Sequence, residues 1–346
     1  MKLATTLKFT ANEGGIGMDL VWEAERLGFD AVWAGEAYGT DAVTPITWVL
    51  ARTSRIKAGT GIMQMPARTP TCAAMTALSL QALSGNRFLC GIGPSGPQVI
   101  EGWHGVPFGR PQTRIREYVS IIRRVLERKA PLEHHGEHYD IPYTGPGSTG
   151  LGKPLRSIGQ GDPSLKIYTA PISPSGLRTA GEVADGALPY FMSPYKPNVM
   201  IGPILEGRAK AGKPKNFYDF DLAPYVRVVV GDDVSACIDQ LRPGLALYIG
   251  GMGARGRNFY NDLAKRLGYE AAAEAIQDHF LAGRRTEAAA AVPAALIDEI
   301  SLVGPPARIK DRLKAWQHLA ADSWVGTLVL PGADAQAMRV VAEAAG

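Results

Sequence analysis

The chain has little of what marks a secreted, membrane or nucleic-acid-binding protein. Cysteine is scarce: Cys72, Cys90 and Cys237 are the only 3 in 346 residues. They are odd in number, far apart and set in apolar or helical contexts, so they read as reduced core thiols rather than a disulfide framework. No stretch approaches the roughly 18 uninterrupted apolar residues that a membrane-spanning helix needs. The opening MKLATTLKFT has no charged segment followed by a long apolar one, so no secretory leader is expected and the expected location is cytoplasmic. An excess of one charge is also lacking, since 37 Lys and Arg stand against 33 Asp and Glu, a net of +4. The signs are interspersed, which argues against a nucleic-acid surface or a polybasic membrane patch and leaves a small molecule as the expected partner.

Several chemical signatures are missing as well. The glycine-dense strand ends, Gly59-Thr60-Gly61 and Gly91-Ile92-Gly93-Pro94, do not complete a G-x-G-x-x-G that leads into a helix, so nicotinamide binding of the Rossmann kind is not expected. No G-x-S-x-G elbow is present, which disfavours a serine hydrolase. His134, His135 and His138 stand with Glu137 in a polar hairpin without supporting partners, a setting for solvated side chains rather than a metal centre.

What is present is alternation. With 46% hydrophobic residues the chain can bury a large core. Strands are expected at Leu3 to Phe9, Asp30 to Gly35, Ile56 to Ile62, Phe88 to Ile92, Leu165 to Ile172, Gly186 to Phe191, Leu222 to Val230 and Gly326 to Leu330. Segments of helical period separate them, among them Met18 to Leu27, Pro70 to Leu83, Arg114 to Arg128 and Ser175 to Ala184. Eight strands alternating with helices predict an α/β chain folded as a (β/α)₈ TIM barrel, a single domain over residues 1–346. Segments 131–164 and 248–304 are expected as insertions after strands four and seven, the second mostly helical.

The most informative stretch is RFLCGIGPSGPQVIEGWHG, Arg87 to Gly105, where an apolar strand breaks into glycine, proline and serine. Backbone that permissive can approach a ligand closely, and barrel enzymes place their sites at strand C-termini. Ser173-Pro174-Ser175-Gly176-Leu177 follows strand five and opens a helix, so its exposed N–H groups form a ready anion site; the plain alternative is an N-cap. Arg178 in the first helical turn opposes the macrodipole unless an anion lies near. Glu36 ends strand two, where a carboxylate can relay a proton or orient a substrate; the other reading is a capping or salt-bridging acid.

Taken together, GFDAVWAGEAYGTDAVTP, TSRIKAGTGI with RTP at Arg68 to Pro70, LSGNRFLCGIG, SGPQVIEGWHG and AGEVADG resemble the bacterial luciferase-like monooxygenase superfamily. GGMGARGRNFYNDLAKRLGY and SLVGPPARIKDRL are similar to the C-terminal part of its deazaflavin-dependent branch, which includes methylenetetrahydromethanopterin reductase. The resemblance implies coenzyme F420 as cofactor, with FMN as the alternative, and hydride transfer between the deazaflavin C5 and an organic substrate. With FMN it implies oxygen-dependent monooxygenation, and some relatives bind cofactor without turnover. It further implies a homodimer.

The same resemblance carries site residues. It places a non-prolyl cis peptide between Gly61 and Ile62, supporting the central ring, and puts the phosphate on Ser175, Gly176 and Leu177 with Ser173 beside them. Pro94 and Ser95 flank the cofactor or substrate. Ala37 and Tyr38 stand where some relatives carry histidine, so no histidine acid is transferred and Tyr38 becomes the substitute candidate beside Glu36 and Ser95; Thr5 and Lys8 belong to the same mouth. No carboxylate occupies the turn after strand four, the nearest being Glu101. Trp103 and His104 are expected to pack that loop, and Glu182 and Asp185 to brace the turn before strand six. The insertion 248–304 is expected either to close over the mouth or to meet a second subunit.

Overall fold

Short apolar strands, each followed by a helix, close edge to edge around a common axis. The computed structural model describes residues 1–9 and 15–346. Its barrel strands are β1 (Lys2–Thr6), β2 (Ala31–Ala34), β3 (Lys57–Thr60), β4 (Phe88–Gly93), β5 (Ile167–Thr169), β6 (Gly186–Ala187), β7 (Asp221–Leu222) and β8 (Thr327–Leu330). Neighbours pair in parallel in that order, for example Ala4 opposite Ala31 and Val32 opposite Ala58, and β1 pairs with β8. Hydrogen bonds from Gly326 N to Leu222 O (3.1 Å) and from Val226 N to Val329 O (2.8 Å) close the ring between β7 and β8. The fold is the TIM barrel expected from the alternation. Every strand C-terminus therefore opens at one end.

Side-chain alternation fills the barrel. Ala4, Ala31, Trp33, Leu89, Tyr168, Leu188, Ala223, Tyr225 and Val329 make the inner cluster, while the helices pack against the outward-facing residues. Glycine is what lets the Trp33 indole lie flat across the axis, because a Cβ on Gly59 would stand 2.5 Å from its ring. At the N-terminal end Asp221 accepts hydrogen bonds from the Tyr168 hydroxyl (3.0 Å) and Thr327 Oγ1 (2.8 Å). Glu182 takes Arg116 and Lys210, and Asp185 takes Arg123, so both brace the helices around β6 as expected.

Differences from expectation have local causes. The sixth strand is confined to Gly186–Ala187, because Pro189 has no N–H for the ladder. Strand seven divides at Pro224 in the same way. Beyond it Arg227–Val230 leaves the barrel and pairs in parallel with Ser301–Gly304, so the second insertion ends in a strand. Cys72 is exposed and only Cys90 and Cys237 are buried, which corrects the expectation of three core thiols. Burial pushes the Cys90 thiol up to about 12. The hairpin His134–His135 with Asp140–Ile141 is held by Glu117, which accepts from the N–H groups of Glu137 (2.9 Å), His138 (3.1 Å) and Tyr139 (3.1 Å). His134 lies against Glu117 and His135 against Asp140, so these imidazoles serve separate carboxylates. Among the described residues no group of three or more metal-ligating side chains converges.

Two measurements check this packing. The helices Pro174–Val183 and Asn198–Lys210 cross where Gly207 meets the Arg178 carbonyl and Gly181 the Ile204 carbonyl, with no room for a Cβ at either. Gly207→Ala is expected to lower the unfolding free energy by about 2 kcal/mol in denaturant titration. Burial holds the Asp221 carboxyl above its ordinary range against the opposing bonds from Thr327 and Tyr168. The native chain thus keeps a proton that the unfolded chain has released, and this contribution to stability falls as pH rises from the ordinary carboxylate range through the raised value. Asp221→Asn should flatten that part of the stability profile relative to the unsubstituted protein.

Candidate active site at the barrel mouth

The floor of the mouth is a bulge in strand three. Gly59 pairs with Leu89 on β4, and Met63 pairs with Ile92, so three residues, 60–62, stand opposite two, 90 and 91. The Gly61–Ile62 peptide within it is cis, at the bond where the family resemblance placed one. Thr60 repairs the broken ladder. Its buried hydroxyl donates to Gly91 O (2.6 Å) and accepts from Gly91 N (3.0 Å). A Cβ on Gly91 would collide with the Thr60 carbonyl, and one on Gly93 would meet Ile62 Cγ1 at 3.0 Å. Both glycines keep this floor low. Beneath it lie two buried polar atoms without partners among the described residues, Trp33 Nε1 and the Tyr225 hydroxyl. The latter stands 2.6 Å from where a Cβ on Gly61 would sit.

Glu36 ties the rim to this floor. Arg68 reaches it with both nitrogens (2.8 and 2.9 Å), and Gln64 N donates to Oε2 at 2.9 Å. Gln64 in turn donates to the carbonyls of Glu36 (3.1 Å) and Ala37 (2.9 Å), and its Oε1 lies 2.6 Å from His104 Nε2. Of the two roles open to Glu36 in the sequence, the geometry supplies the partners of the salt-bridging one, and His104 packs its loop onto the same network. Tyr38 is 67% exposed, outside this network. Pro94 and Ser95 directly follow Gly93; Ser95 is half-buried with φ at 59°. Thr5 is buried, with its hydroxyl on Leu330 O at 3.0 Å, while Lys8 is exposed.

The anion site after β5 is narrower than expected. Ser173 Oγ caps Gly176 N (3.1 Å) and meets Ser175 Oγ (3.0 Å), while Leu177 N bonds the Ser173 carbonyl (2.9 Å) and its side chain is buried. The exposed Ser175 N–H and the two serine hydroxyls remain for a ligand. Arg178 is compensated by Glu206 (3.0 Å) across the helix crossing, so it does not itself call for an anion. Arg266, which sequence reasoning did not single out, does come here. Its Nη2 donates to Ile172 O at 2.8 Å and its buried Nε has no partner among the described residues. Burial pulls its pKa down, with only Asp262 opposing at longer range.

Aromatic residues wall the β6 and β7 side. Tyr190 stacks on Tyr225 (4.8 Å between ring centres) and on Tyr248 (5.5 Å), and Tyr248 meets Tyr260 at 4.7 Å. Tyr248 and Tyr260 belong to the second insertion, which therefore covers this side of the mouth. Burial raises the phenol pKa values of Tyr190, Tyr225 and Tyr260, which keeps them neutral donors. Glu299 fixes the insertion, taking Ser193 Oγ (2.6 Å), the Tyr269 hydroxyl (2.7 Å) and Lys196 Nζ (3.3 Å). The arrangement offers a flat backbone floor, a neutral aromatic wall and an anion site, which together suit a planar ligand with a phosphate tail.

Comparison with known proteins agrees with this geometry. The family described as luciferase-like monooxygenase matches residues 16–323. A Mycobacterium tuberculosis protein, named as a coenzyme F420-dependent oxidoreductase, is 39% identical over 285 residues, covering 82% of each chain. The 5,10-methylenetetrahydromethanopterin reductase of Methanopyrus kandleri is 27% identical over 284 residues, 78% of this chain and 76% of that one. A solved structure of the coenzyme F420-dependent tetrahydromethanopterin reductase from Methanopyrus kandleri superposes with a TM-score of 0.77 at 23% identity, covering 99% and 98% of the two chains.

The Glu36–Arg68 pair is mostly shielded, with side-chain exposures of 8% and 18%. Glu36→Ala strands the guanidinium and should lower stability by about 2 kcal/mol. Glu36→Gln, which keeps an acceptor, should cost less; denaturant unfolding of the two variants checks the order.

Proposed function

The chain belongs to the luciferase-like monooxygenase family, and on that footing we propose that it is an oxidoreductase that uses coenzyme F420 to transfer a hydride to or from a small organic substrate. The observation that carries the proposal is the 39% identity to the Mycobacterium tuberculosis relative across 82% of both chains. The mouth supports it, because its residues fit such a cofactor. The low floor at Gly61 and Ile62, kept clear by Gly91 and Gly93, is shaped to back a flat ring, and the Tyr225 hydroxyl, without a partner among the described residues, lies against Gly61. Ser173 and Ser175 would hold the phosphate, with Gly176 allowing close approach and Arg266 balancing the charge.

When bound, the deazaflavin supplies the hydride chemistry at C5. The protein's part is positioning. Glu36, engaged by Arg68 and Gln64, fixes the loop after β2 against the floor and acts as a positioning residue. Pro94 and Ser95 border the floor on the β4 side, where the Ser95 hydroxyl would bond cofactor or substrate, and Tyr38 would reach the substrate from the rim. The stacked rings of Tyr190 and Tyr248 would shield that side from water. A homodimer is part of the same proposal. Among the described residues no helix is long and apolar enough to cross a membrane.

The decisive test titrates cofactor-free protein with coenzyme F420 and with FMN, read by fluorescence quenching and anisotropy. The expected result is tight binding of F420 alone, followed by a change in its oxidation state with a suitable donor or acceptor. Preference for FMN would turn the assignment to an oxygen-dependent enzyme, and F420 that binds but never changes oxidation state would mark a binding protein. Ser175→Asp, which sets a carboxylate where the phosphate belongs, should weaken F420 binding by at least about tenfold.

A further inference from the structure

We infer that the substrate taken at this mouth carries a carboxylate and that Arg227 is the residue that docks it; the inference deepens the oxidoreductase reading above and rests on it for the word substrate. The placement follows from its contacts. Tyr225 belongs to the barrel interior and pairs with Val329 on β8, and Arg227, two residues on at the point where the chain leaves the barrel, carries its guanidinium to the end of β8. It is exposed there. Its one side-chain hydrogen bond among the described residues is a long one, from Nη1 to Pro331 O at 3.4 Å, at the C-terminal end of β8. No described carboxylate forms an ion pair with it, whereas Glu36 is held by Arg68 and Glu299 by Lys196. Its charge also reaches the Tyr190 phenol, where it works against the rise that burial imposes.

Position in the ring separates this cation from the phosphate site. β7 lies four strands from β3 in the barrel order, and Arg227, just beyond β7, reaches Pro331 after β8, whereas the Gly61–Ile62 floor belongs to β3. The anion site follows β5 and has its own cation in Arg266. A ligand ring lying on the floor would thus present its free face toward the β7 side, between the stacked Tyr190 and Tyr225 and the exposed guanidinium. A substrate with an apolar or aromatic body and a carboxylate satisfies both surfaces, since a guanidinium binds a carboxylate through two parallel hydrogen bonds. A neutral substrate would leave the guanidinium without a counter-charge.

Benzoate and benzamide, alike in shape and different in charge, give a direct probe. Both are titrated by calorimetry into the protein with and without F420, and into Arg227→Gln and Arg227→Lys. The expected result is benzoate binding at least about tenfold tighter than benzamide, because a charge-assisted pair is involved. That preference should vanish in Arg227→Gln and return in part in Arg227→Lys, with the thermal unfolding of both variants unchanged. Equal binding of the two probes, no binding of benzoate, or a preference that survives Arg227→Gln would overturn the inference. F420 binding is read separately by its fluorescence. A protein that prefers benzoate through Arg227 but binds no F420 would keep the docking residue and lose the cofactor assignment.

Discussion

The mouth depends on one hydroxyl. Where strand three carries an extra residue past β4, the parallel ladder breaks, and Thr60 Oγ1 fills the break by serving Gly91 as both donor and acceptor. Buried backbone groups left unpaired at this point would each cost on the order of 1–3 kcal/mol. The hydroxyl removes that cost and so allows the chain to carry Gly61 and Ile62 out of the strand as a floor. The rest follows from it. Gly91 and Gly93 have no room for side chains because Thr60 and Ile62 lie against them. Gln64, the second residue after the floor, has its N–H aimed at Glu36 and its amide at the rim carbonyls, so the loops after β2 and β4 are set relative to the bulge.

A second constraint is charge compensation. Two carboxylates near the mouth are committed within the protein: Glu36 to Arg68, and Glu299 to Lys196, Ser193 and Tyr269. Burial holds the phenols of Tyr190, Tyr225 and Tyr260 in the wall neutral. The guanidinium groups of Arg266 and Arg227 form no ion pair with a described carboxylate, one lying beside the helix start after β5 and one just beyond β7. A site so arranged favours anionic groups at both positions, with an apolar body between them.

Much of this was legible in the residues. The break of an apolar strand into glycine, proline and serine after Arg87, with Gly91 and Gly93 in it, pointed to close backbone approach at the mouth. Ser173 before Pro174 announced a helix start, and its hydroxyl is the observed N-cap. The resemblance located the cis bond at Gly61–Ile62, where it is observed. Other features were not legible. Arg178 looked as though it needed an anion, until the helix crossing supplied Glu206. The strand expected over Leu222 to Val230 splits at Pro224 because its second half finds Ser301–Gly304, a partner more than seventy residues further on. Arg266 is one arginine among several in a basic run, and nothing local marks it as the one that reaches Ile172.

The sequence by itself determined the alternation of strands and helices, the direction in which every strand opens, and the glycines of the floor and the serine that caps the helix after β5. These depend on local rules: periodicity, the absence of a Cβ, the capping power of a hydroxyl. Tertiary structure alone decided which charges are spent and which are free, and which side of the mouth the insertion covers. Glu36 meets Arg68 from 32 residues away, and Arg266 meets Ile172 from 94. Contacts of that kind arise from the closure of the barrel, which brings together groups whose spacing along the chain carries no period.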